Sequence, residues 1–499
     1  MFEIEEYMEK EFRFTINIQF DTKTELTPRM LEVSEAFGLG VSEAKKFTIY
    51  KDFRIGFDKG DVVFITGDSG GGKSLLLNAI YNSLVKGKRD CLKLDDLIPN
   101  PEDKDKPIVD RIGETTEESI RYLSLMGLND AFIFLRTFKE LSDGQKYRFK
   151  LAEILAEKPE FIFIDEFCAN LDRTTAKVIA FNLQKICRKN DIGLFVATTH
   201  TDLSDDLNPS VLVSKQFMDD VKIEYNDYEK KKISFYNDII FEEGDIKDYE
   251  KLSKYHYKST NLNFPYSKII TAKYNNDIVG VAVYSPPFLQ TKGRSIYFDK
   301  KYSSMTKEVV AEINKYFIRG SRYIISPKFR ACGLGQKLTL ESFKFLDKKY
   351  IEVITVMGKY NPVFERAGMK KIEITEETDA PTLKLDAWLK EKGLEIDQIH
   401  NPKYWTAWVK QLTPEDKDIL KLMTGKVLHH PKIGLSSKDG KRAQVVAQEK
   451  RYKEASYSEL EEEIITYIPK LYSGMTLYYI WENPDYVEKN ISSLEDFGL

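Results

Sequence analysis

The chain has 499 residues, and this length predicts about three domains because single hydrophobic cores rarely grow beyond about 250–300 residues. Its apolar fraction of 42% and charged fraction of 31% are ordinary for a folded soluble protein and argue against long disordered segments. A net charge of −4 excludes a globally basic surface, no apolar run approaches the roughly 18 residues that span a bilayer, and four scattered cysteines favour a reducing cytoplasm.

The first motif is a glycine-rich loop between a predicted strand and a predicted helix. Residues 61–66 form an apolar, β-branched run that indicates a buried strand, and residues 75–80 suit a helix. The intervening GDSGGGKS fits a phosphate-binding loop, in which backbone N–H groups and a lysine surround phosphate oxygens and a hydroxyl binds Mg²⁺. The predicted ATP-binding residues are Gly67, Asp68, Ser69, Gly70, Gly71, Gly72, Lys73 and Ser74.

Two acidic residues end a second buried strand, which is predicted over residues 161–166. At the carboxyl end of a strand, Asp165 can hold Mg²⁺ together with Ser74, and Glu166 can polarise the water that attacks ATP. We therefore predict that Asp165 and Ser74 are metal ligands and that Glu166 and Lys73 are catalytic.

These motifs, taken with others nearby, resemble the ATP-binding-cassette (ABC) ATPase family. The sequence LSDGQ at 141–145 resembles the family's LSGGQ signature, with Asp143 in place of a glycine, and residues 170–172 resemble its D-loop. His200 follows an apolar strand, as does the family's switch histidine. The resemblance implies nucleotide contacts, or a role in hydrolysis, for Ser142, Gly144, Gln145, Asp172 and His200.

Two further positions are left open by this resemblance. Phe37 is either an aromatic that stacks on adenine or part of the core. The family's Q-loop glutamine is not found between residues 91 and 141, and residues 107–111 occupy about that region.

The single set of motifs also implies a partner. In ABC proteins the signature of one module contacts the nucleotide held by another, so the resemblance implies a homodimer with ATP sandwiched between two copies. No heptad coiled coil is visible. A transporter role would require membrane domains on another chain.

Near residue 225 the sequence changes to short alternating segments separated by charged residues, and a second strand–loop–helix unit follows. Residues 267–284 predict a hairpin with an Asn-Asn-Asp turn, and 322–326 predict a strand that leads into RACGLG and a helix at 336–346. RACGLG fits the R-x-x-G-x-G pattern of acyl-coenzyme A binding, in which a helix N-terminus and an arginine bind the pyrophosphate.

Residues 237–385 resemble the GNAT acyltransferase family. The resemblance implies that acetyl-CoA or another acyl-CoA binds along the strand and the loop, and a GNAT-like fold that binds no acyl-CoA stays open. Many relatives use a tyrosine as the acid; Phe364 stands where it is expected, and Tyr360 is the nearest substitute. The implied donor-site residues are Ile324, Ile325, Arg330, Gly333, Leu334, Gly335 and Asn361.

The acceptor is suggested by a shorter likeness. Residues 254–258 and the hairpin resemble the phage Mom DNA-modification proteins, which are GNAT-like and alter the exocyclic amino group of adenine. The arrangement also resembles an uncharacterised archaeal and bacterial family of ABC–acetyltransferase fusions related to Mom. The likeness implies that His256 and Tyr257 lie near the acceptor and that DNA is a possible partner. A lysine or small amine as acceptor, a non-catalytic nucleic-acid clamp and a transporter ATPase remain alternatives.

The last part of the chain is predicted to be helical, with Trp388, Trp405 and Trp408 in a small core. Its basic segment, residues 436–453, is either a loop that contacts phosphates or a solvated helix face. The sequence thus predicts an α/β protein: a P-loop ABC ATPase domain (1–225), an α+β GNAT-like acyltransferase domain (226–385) and a helical C-terminal region (386–499).

Overall fold

The computed structural model describes residues 7–21, 27–38, 46–97, 103, 105–216, 220–256, 262, 264–359, 361–374, 380–395, 399, 402–428, 442–472 and 477–487. The strands among them are β1 (Phe12–Asp21), β2 (Lys46–Phe57), β3 (Val62–Gly67), β4 (Cys91–Lys93), β5 (Phe161–Ile164), β6 (Gly193–Ala197), β7 (Val211–Lys215), β8 (Val221–Tyr225), β9 (Ile240–Gly244), β10 (Lys268–Tyr274), β11 (Asp277–Ser285), β12 (Phe317–Ile325), β13 (Tyr350–Thr355), β14 (Lys370–Ile372) and β15 (Leu477–Glu482). The helices are α1 (Pro28–Ala36), α2 (Lys73–Lys86), α3 (Thr116–Leu125), α4 (Ala131–Phe134), α5 (Asp143–Ala156), α6 (Arg173–Lys189), α7 (Ser204–Leu207), α8 (Ile246–Ser253), α9 (Lys292–Tyr297), α10 (Lys307–Tyr316), α11 (Leu334–Phe343), α12 (Val363–Arg366), α13 (Ala380–Glu391), α14 (Pro402–Gln411), α15 (Pro414–Val427), α16 (Arg442–Glu454) and α17 (Tyr457–Tyr472).

The first unit is built on a six-stranded sheet in the order β4-β5-β6-β3-β7-β8. All neighbours are parallel except β7 and β8. β3, β5 and β6 are continuous apolar runs because cores lie on both faces of a parallel sheet, and they confirm the strands predicted from the sequence. Their carboxyl ends meet at one edge, where the phosphate loop, Asp165 and His200 follow.

The second unit is built on a seven-stranded sheet in the order β14-β15-β13-β12-β11-β10-β9. Its one parallel pair is β12 with β13, and the pairing runs only from Phe317 opposite Tyr350 to Gly320 opposite Val353. β12 continues to Ile325, so the two strands separate over its last residues. The loop before α11 begins at this opening.

The helices from α13 to α17 form a core of their own, and the three tryptophans predicted to pack there do so. Trp405 stacks on Trp408 at 5.5 Å, and Trp388 meets Trp408 edge-on at 6.3 Å between ring centroids. None of the helices in the described part of the chain is both long and apolar enough to cross a membrane.

The chain then returns to the second sheet, which differs from the helical region expected over 386–499. β15 lies between β13 and β14, and Tyr478, Tyr479 and Ile480 are almost fully buried. The helical core is therefore inserted between two strands of the second sheet. A six-residue apolar run does not distinguish a strand from a buried helix, and its partners are remote in sequence.

Candidate functional site

The phosphate loop has a backbone that only glycine allows at two positions. Gly67 has φ +130°, and a Cβ there would lie 1.7 Å from the carbonyl oxygen of Lys215. Gly72 caps α2 at φ +94°, and a Cβ there would lie 2.5 Å from Cγ2 of Ile49. The loop therefore lies close against β7 at Gly67 and against β2 at Gly72, and neither position has room for a side chain.

Lys73 is folded over this loop. Its Nζ donates to the carbonyl oxygens of Gly67 at 2.9 Å and Asp68 at 2.6 Å. Burial lowers the pKa of Lys73, whereas the nearby carboxylates of Asp165 and Asp68 act to raise it. Ser74, the predicted Mg²⁺ ligand, is exposed in the first turn of α2. The predicted phosphate and metal ligands are thus brought together with the acid after β5.

The acidic turn after β5 has a strained backbone. Asp165 Oδ1 accepts a hydrogen bond from the Glu166 amide at 3.0 Å, and Glu166 is exposed with φ +46°. A left-handed backbone is uncommon at a residue other than glycine, asparagine or aspartate, and Cys168 in the same turn also has a positive φ, of +57°. His200 follows β6, and its amide donates to Thr198 Oγ1 at 3.3 Å. β5, β6 and β3 are neighbours in the sheet, so the acidic turn, His200 and the phosphate loop lie along one edge of it.

The signature segment begins α5 as a capping box. Ser142 Oγ accepts from the Gln145 amide at 3.4 Å, and Gln145 Oε1 accepts from the Ser142 amide at 3.0 Å. Gly144 is close to the D-loop, because a Cβ there would lie 3.3 Å from Leu171 Cδ2. The geometry explains Ser142 and Gln145 as a helix cap, and their contact with a second copy's nucleotide stays a prediction.

Asp172 caps α6 by accepting from the Thr175 amide at 3.2 Å and its hydroxyl at 2.8 Å. Its carboxylate also lies 3.4 Å from Lys328 Nζ of the second unit. Burial acts to raise the pKa of Asp172, but the Thr175 hydrogen bonds and Lys328 outweigh burial and hold it below its ordinary value.

The structure also bears on the two open positions. Phe37 is 75% exposed, which excludes the core-packing alternative and leaves adenine stacking as a prediction. Arg111 is buried between the rings of Phe138 and Phe149 and pairs with Glu153 at 3.3 Å, so it has a structural role. The segment that leaves β4 is residues 94–97, with acidic residues at 95 and 96 and no glutamine.

The sequence missed a support beneath the phosphate loop. Lys215 is fully buried, and its carbonyl oxygen accepts from the Asp68 amide at 3.3 Å. Tyr50 OH donates to the Gly72 carbonyl oxygen at 3.3 Å. Neither residue belongs to a motif, because their positions are set by strands that are distant in sequence.

In the second unit, the RACGLG loop has a shape that suits an anion. Gly333 caps α11 with φ +92° and without a side-chain cap, and a Cβ there would meet nothing within 4 Å. A Cβ at Gly335 would lie 3.3 Å from Val363 Cγ2, and Leu334 is buried. Gly333 therefore lies beside open space at the N-terminus of α11, which is where an anion site at a helix N-terminus is expected.

Arg330 is placed differently from the expected phosphate ligand. Its Nε donates to the Ile325 carbonyl oxygen at 2.8 Å, and its Nη1 donates to Asn129 of the first unit, at 2.8 Å to the carbonyl oxygen and 3.2 Å to Oδ1. Burial lowers the pKa of Arg330. The described contacts thus make Arg330 a link between the two units. Ile324 is buried.

The predicted acceptor residues are described only in part. Arg322 Nη1 donates to His256 Nδ1 at 2.9 Å, so the neutral imidazole carries its hydrogen on Nε2. Asn361 is exposed, and its amide donates to the Met357 carbonyl oxygen at 3.0 Å. Tyr257 and Tyr360 lie outside the described residues.

Comparisons with known proteins find relatives for about a third of the chain. It is 27% identical over 203 residues to the phosphonates import ATP-binding protein PhnC 1 of Trichodesmium erythraeum, a match that covers 33% of this chain and 80% of that protein. It is 26% identical over 196 residues to the ribosome protection protein VmlR of Bacillus subtilis, covering 38% of this chain and 34% of that protein. No protein-family model matches.

These relatives, together with the order of the motifs along the chain, identify the first unit. It is an ATP-binding-cassette ATPase domain. Among solved structures, the dimeric post-hydrolysis state of an ATP-binding cassette bound to ADP and phosphate matches 43% of this chain and 98% of that chain, with 18% identity and a TM-score of 0.31.

The ABC domain binds and hydrolyses ATP, and the geometry assigns expected roles. The loop amides and Lys73 suit the phosphates, and the oxygen ligands of Ser74 and Asp165 suit Mg²⁺, which would neutralise phosphate charge when bound. Glu166 is exposed at the same edge, where it can take a proton from the attacking water.

Proposed function

We propose that the ABC ATPase domain works with an acyl-CoA-dependent, GNAT-like N-acyltransferase formed by the second unit, and that the acceptor is a nucleobase amine in DNA. The donor part rests on one observation: β12 separates from β13 after Gly320, and the glycine-rich loop and α11 begin at that opening. Ligands of open sheets bind where neighbouring strands diverge, at their carboxyl ends. An acyl-CoA fits there, with its pyrophosphate at Gly333 and its pantetheine arm along residues 323–326.

The reaction needs few groups from the protein. The amine nitrogen attacks the thioester carbonyl carbon, a C–N bond forms and the C–S bond breaks, and coenzyme A leaves as a thiolate. The amine must lose a proton and the thiolate must gain one.

The acceptor proposal rests on the likeness to Mom. The likeness implies that His256 lies near the acceptor, and Arg322 Nη1 holds its ring through Nδ1 at 2.9 Å. With a net charge of −4, binding to DNA would depend on a local patch.

We also propose that the ATPase acts as a homodimer. The chain has one phosphate loop and one signature, and the side chain of Asp143 is 98% exposed, so the signature is accessible to a second copy. One module alone does not complete an ATP sandwich.

The test is mass spectrometry of nucleosides from host DNA and RNA after expression of the protein. We compare the wild type with Glu166→Gln, which removes the proposed base, and with the pair Gly333→Asp and Gly333→Asn. Asp and Asn are nearly isosteric and both tolerate positive φ, but only Asp repels a phosphate. A modified nucleoside that is lost in Glu166→Gln and Gly333→Asp, and kept in Gly333→Asn, supports the proposal.

Other outcomes contradict parts of it. If no modified nucleoside is found although coenzyme A binds, a nucleobase acceptor is excluded and a protein or small-molecule amine is favoured as the acceptor. Absence of coenzyme A binding would exclude the acyltransferase and favour a nucleic-acid clamp.

A further inference from the structure

The segment that leads into the anion loop contacts the ATPase domain on both sides. Lys328 Nζ lies 3.4 Å from Asp172 Oδ1, and Arg330 Nη1 donates to Asn129. Between them, Phe329 is buried against Phe235 and Tyr274, with ring centroids 5.4 Å and 5.6 Å away. We call residues 328–330 the bridging segment.

A single core fixes the bridging segment to the ATPase. The cluster that contains Phe329 also contains Val178 and Phe181 of α6. α6 is the helix that Asp172 caps. Because packed cores resist deformation, movement of α6 and movement of the bridging segment are mechanically linked.

The Asp172 contact leads to the hydrolytic turn. Ala169 donates its amide hydrogen to the Glu166 carbonyl oxygen at 3.1 Å, and Leu171 donates to that of Cys168 at 3.2 Å. These two hydrogen bonds overlap, so the backbone from Glu166 to Leu171 is tied together. The proposed base is at one end, and Asp172, the partner of Lys328, directly follows the other end.

The Asn129 contact leads to the signature helix. Arg148 on α5 donates from Nε to the Gly144 carbonyl oxygen at 3.1 Å and from Nη1 to that of Gly127 at 3.0 Å. Arg330 continues the path from Asn129 to the Ile325 carbonyl oxygen at the end of β12. Gly127 and Asn129 are joined through the backbone, so this path links the first turn of α5 to the end of β12.

We propose that the bridging segment positions the Glu166–Asp172 turn for ATP hydrolysis, and that a diphosphate-containing ligand at the anion loop changes the rate of hydrolysis through it. The segment ends three residues before Gly333, and Cys332 Sγ donates to the Phe329 carbonyl oxygen at 3.1 Å, so the loop and the segment form one folded turn. Lys328 acts here as a positioning residue. The choice of ligand rests on the proposed function, whereas the contacts with the ATPase do not.

The first experiment measures steady-state ATP hydrolysis by the full chain. Lys328→Glu places a second carboxylate against Asp172, and we expect kcat to fall by about 5-fold or more with KM for ATP within about 2-fold. Lys328→Arg keeps the charge and is expected to retain kcat. The matched control is Lys344→Glu, because Lys344 is similarly exposed and pairs with Glu341 within the second unit. Equal kcat in Lys328→Glu and Lys344→Glu would overturn the positioning role, and Lys328→Gln serves if Lys328→Glu unfolds.

The second experiment adds coenzyme A and follows both its binding by calorimetry and the ATPase rate. We expect coenzyme A to change kcat of the wild type by about 5-fold and to leave Lys328→Glu unchanged although it still binds. Binding to the wild type without any change in kcat would overturn the transmission while sparing the acyltransferase. Absence of binding would overturn the donor site, and the first experiment would still decide the positioning role.

Discussion

Single residues decide whether the nucleotide site can form at all, and Gly67 is the strictest of them. Its φ of +130° is open only to glycine, and the Lys215 carbonyl oxygen occupies the position that a Cβ would take. Gly70 in the same loop has φ +77° but meets nothing within 4 Å. Gly67 is therefore required because a side chain would collide with Lys215, whereas Gly70 is favoured only because of its left-handed backbone.

This difference gives a prediction. Gly67→Ala is expected to weaken ATP binding by about 100-fold or more, since the loop must open to admit the methyl group. Gly70→Ala carries only the left-handed backbone cost of about 1–2 kcal/mol, so the loss stays near 10-fold. Equilibrium binding of a fluorescent ATP analogue measures both. Comparable affinities of the two variants would show that the close approach to Lys215 does not shape the site.

Residue patterns predict an ATP site at Gly67, Lys73, Asp165 and Glu166, and the structure places these residues at one edge of the first sheet. The prediction is possible because strand, loop and helix follow one another locally. Arg330 was predicted as a phosphate ligand from its local pattern, whereas its described contacts include Asn129, 201 positions away. Pairings over such distances leave no local signal.

At the scale of elements, continuous apolar runs predicted the central strands, and β15 was missed. It follows a long helical insertion, and its burial depends on β13 and β14, which precede that insertion. Tyr478 OH donates to Glu352 Oε2 at 2.8 Å, and Glu352 is paired with the buried Arg294. The last strand thus helps to satisfy a buried charge pair in the second sheet.

One substitution in β15 tests whether this strand supports the second sheet. Ile480→Ala should destabilise the second sheet by about 2–5 kcal/mol, because Ile480 is 1% exposed between two strands. Ile240→Ala on edge strand β9 should change stability by less than about 0.5 kcal/mol, because Ile240 is 63% exposed. Hydrogen exchange followed by mass spectrometry should show faster exchange at residues 350–355 for Ile480→Ala only. Unchanged exchange there would mean that β15 does not support β13.

At the scale of the whole molecule, an ATPase domain and a second α/β unit share a buried core. Val178 and Phe181 of the ATPase domain lie in the core of the second unit, so the two units do not move independently of each other. An ATP-dependent association of two ABC domains would therefore carry two second units with it. The oligomeric state is consequently the property on which any coupled function depends.

We expect Glu166→Gln to bind ATP, to hydrolyse it slowly because the proposed base is lost, and to form dimers when ATP and Mg²⁺ are added. The physical reason is that bound ATP adds contacts between two copies and persists when hydrolysis is blocked. Adding Ser142→Arg to Glu166→Gln places a bulky cation at the exposed start of α5 and should keep the protein monomeric. The control Lys344→Arg in the same background changes a distant surface and should still dimerise. Light scattering coupled to gel filtration distinguishes the two masses. A dimer with a Kd of about 1 µM is mostly assembled at about 50 µM protein, so an ATP-bound Glu166→Gln protein that stays monomeric there would contradict the homodimer.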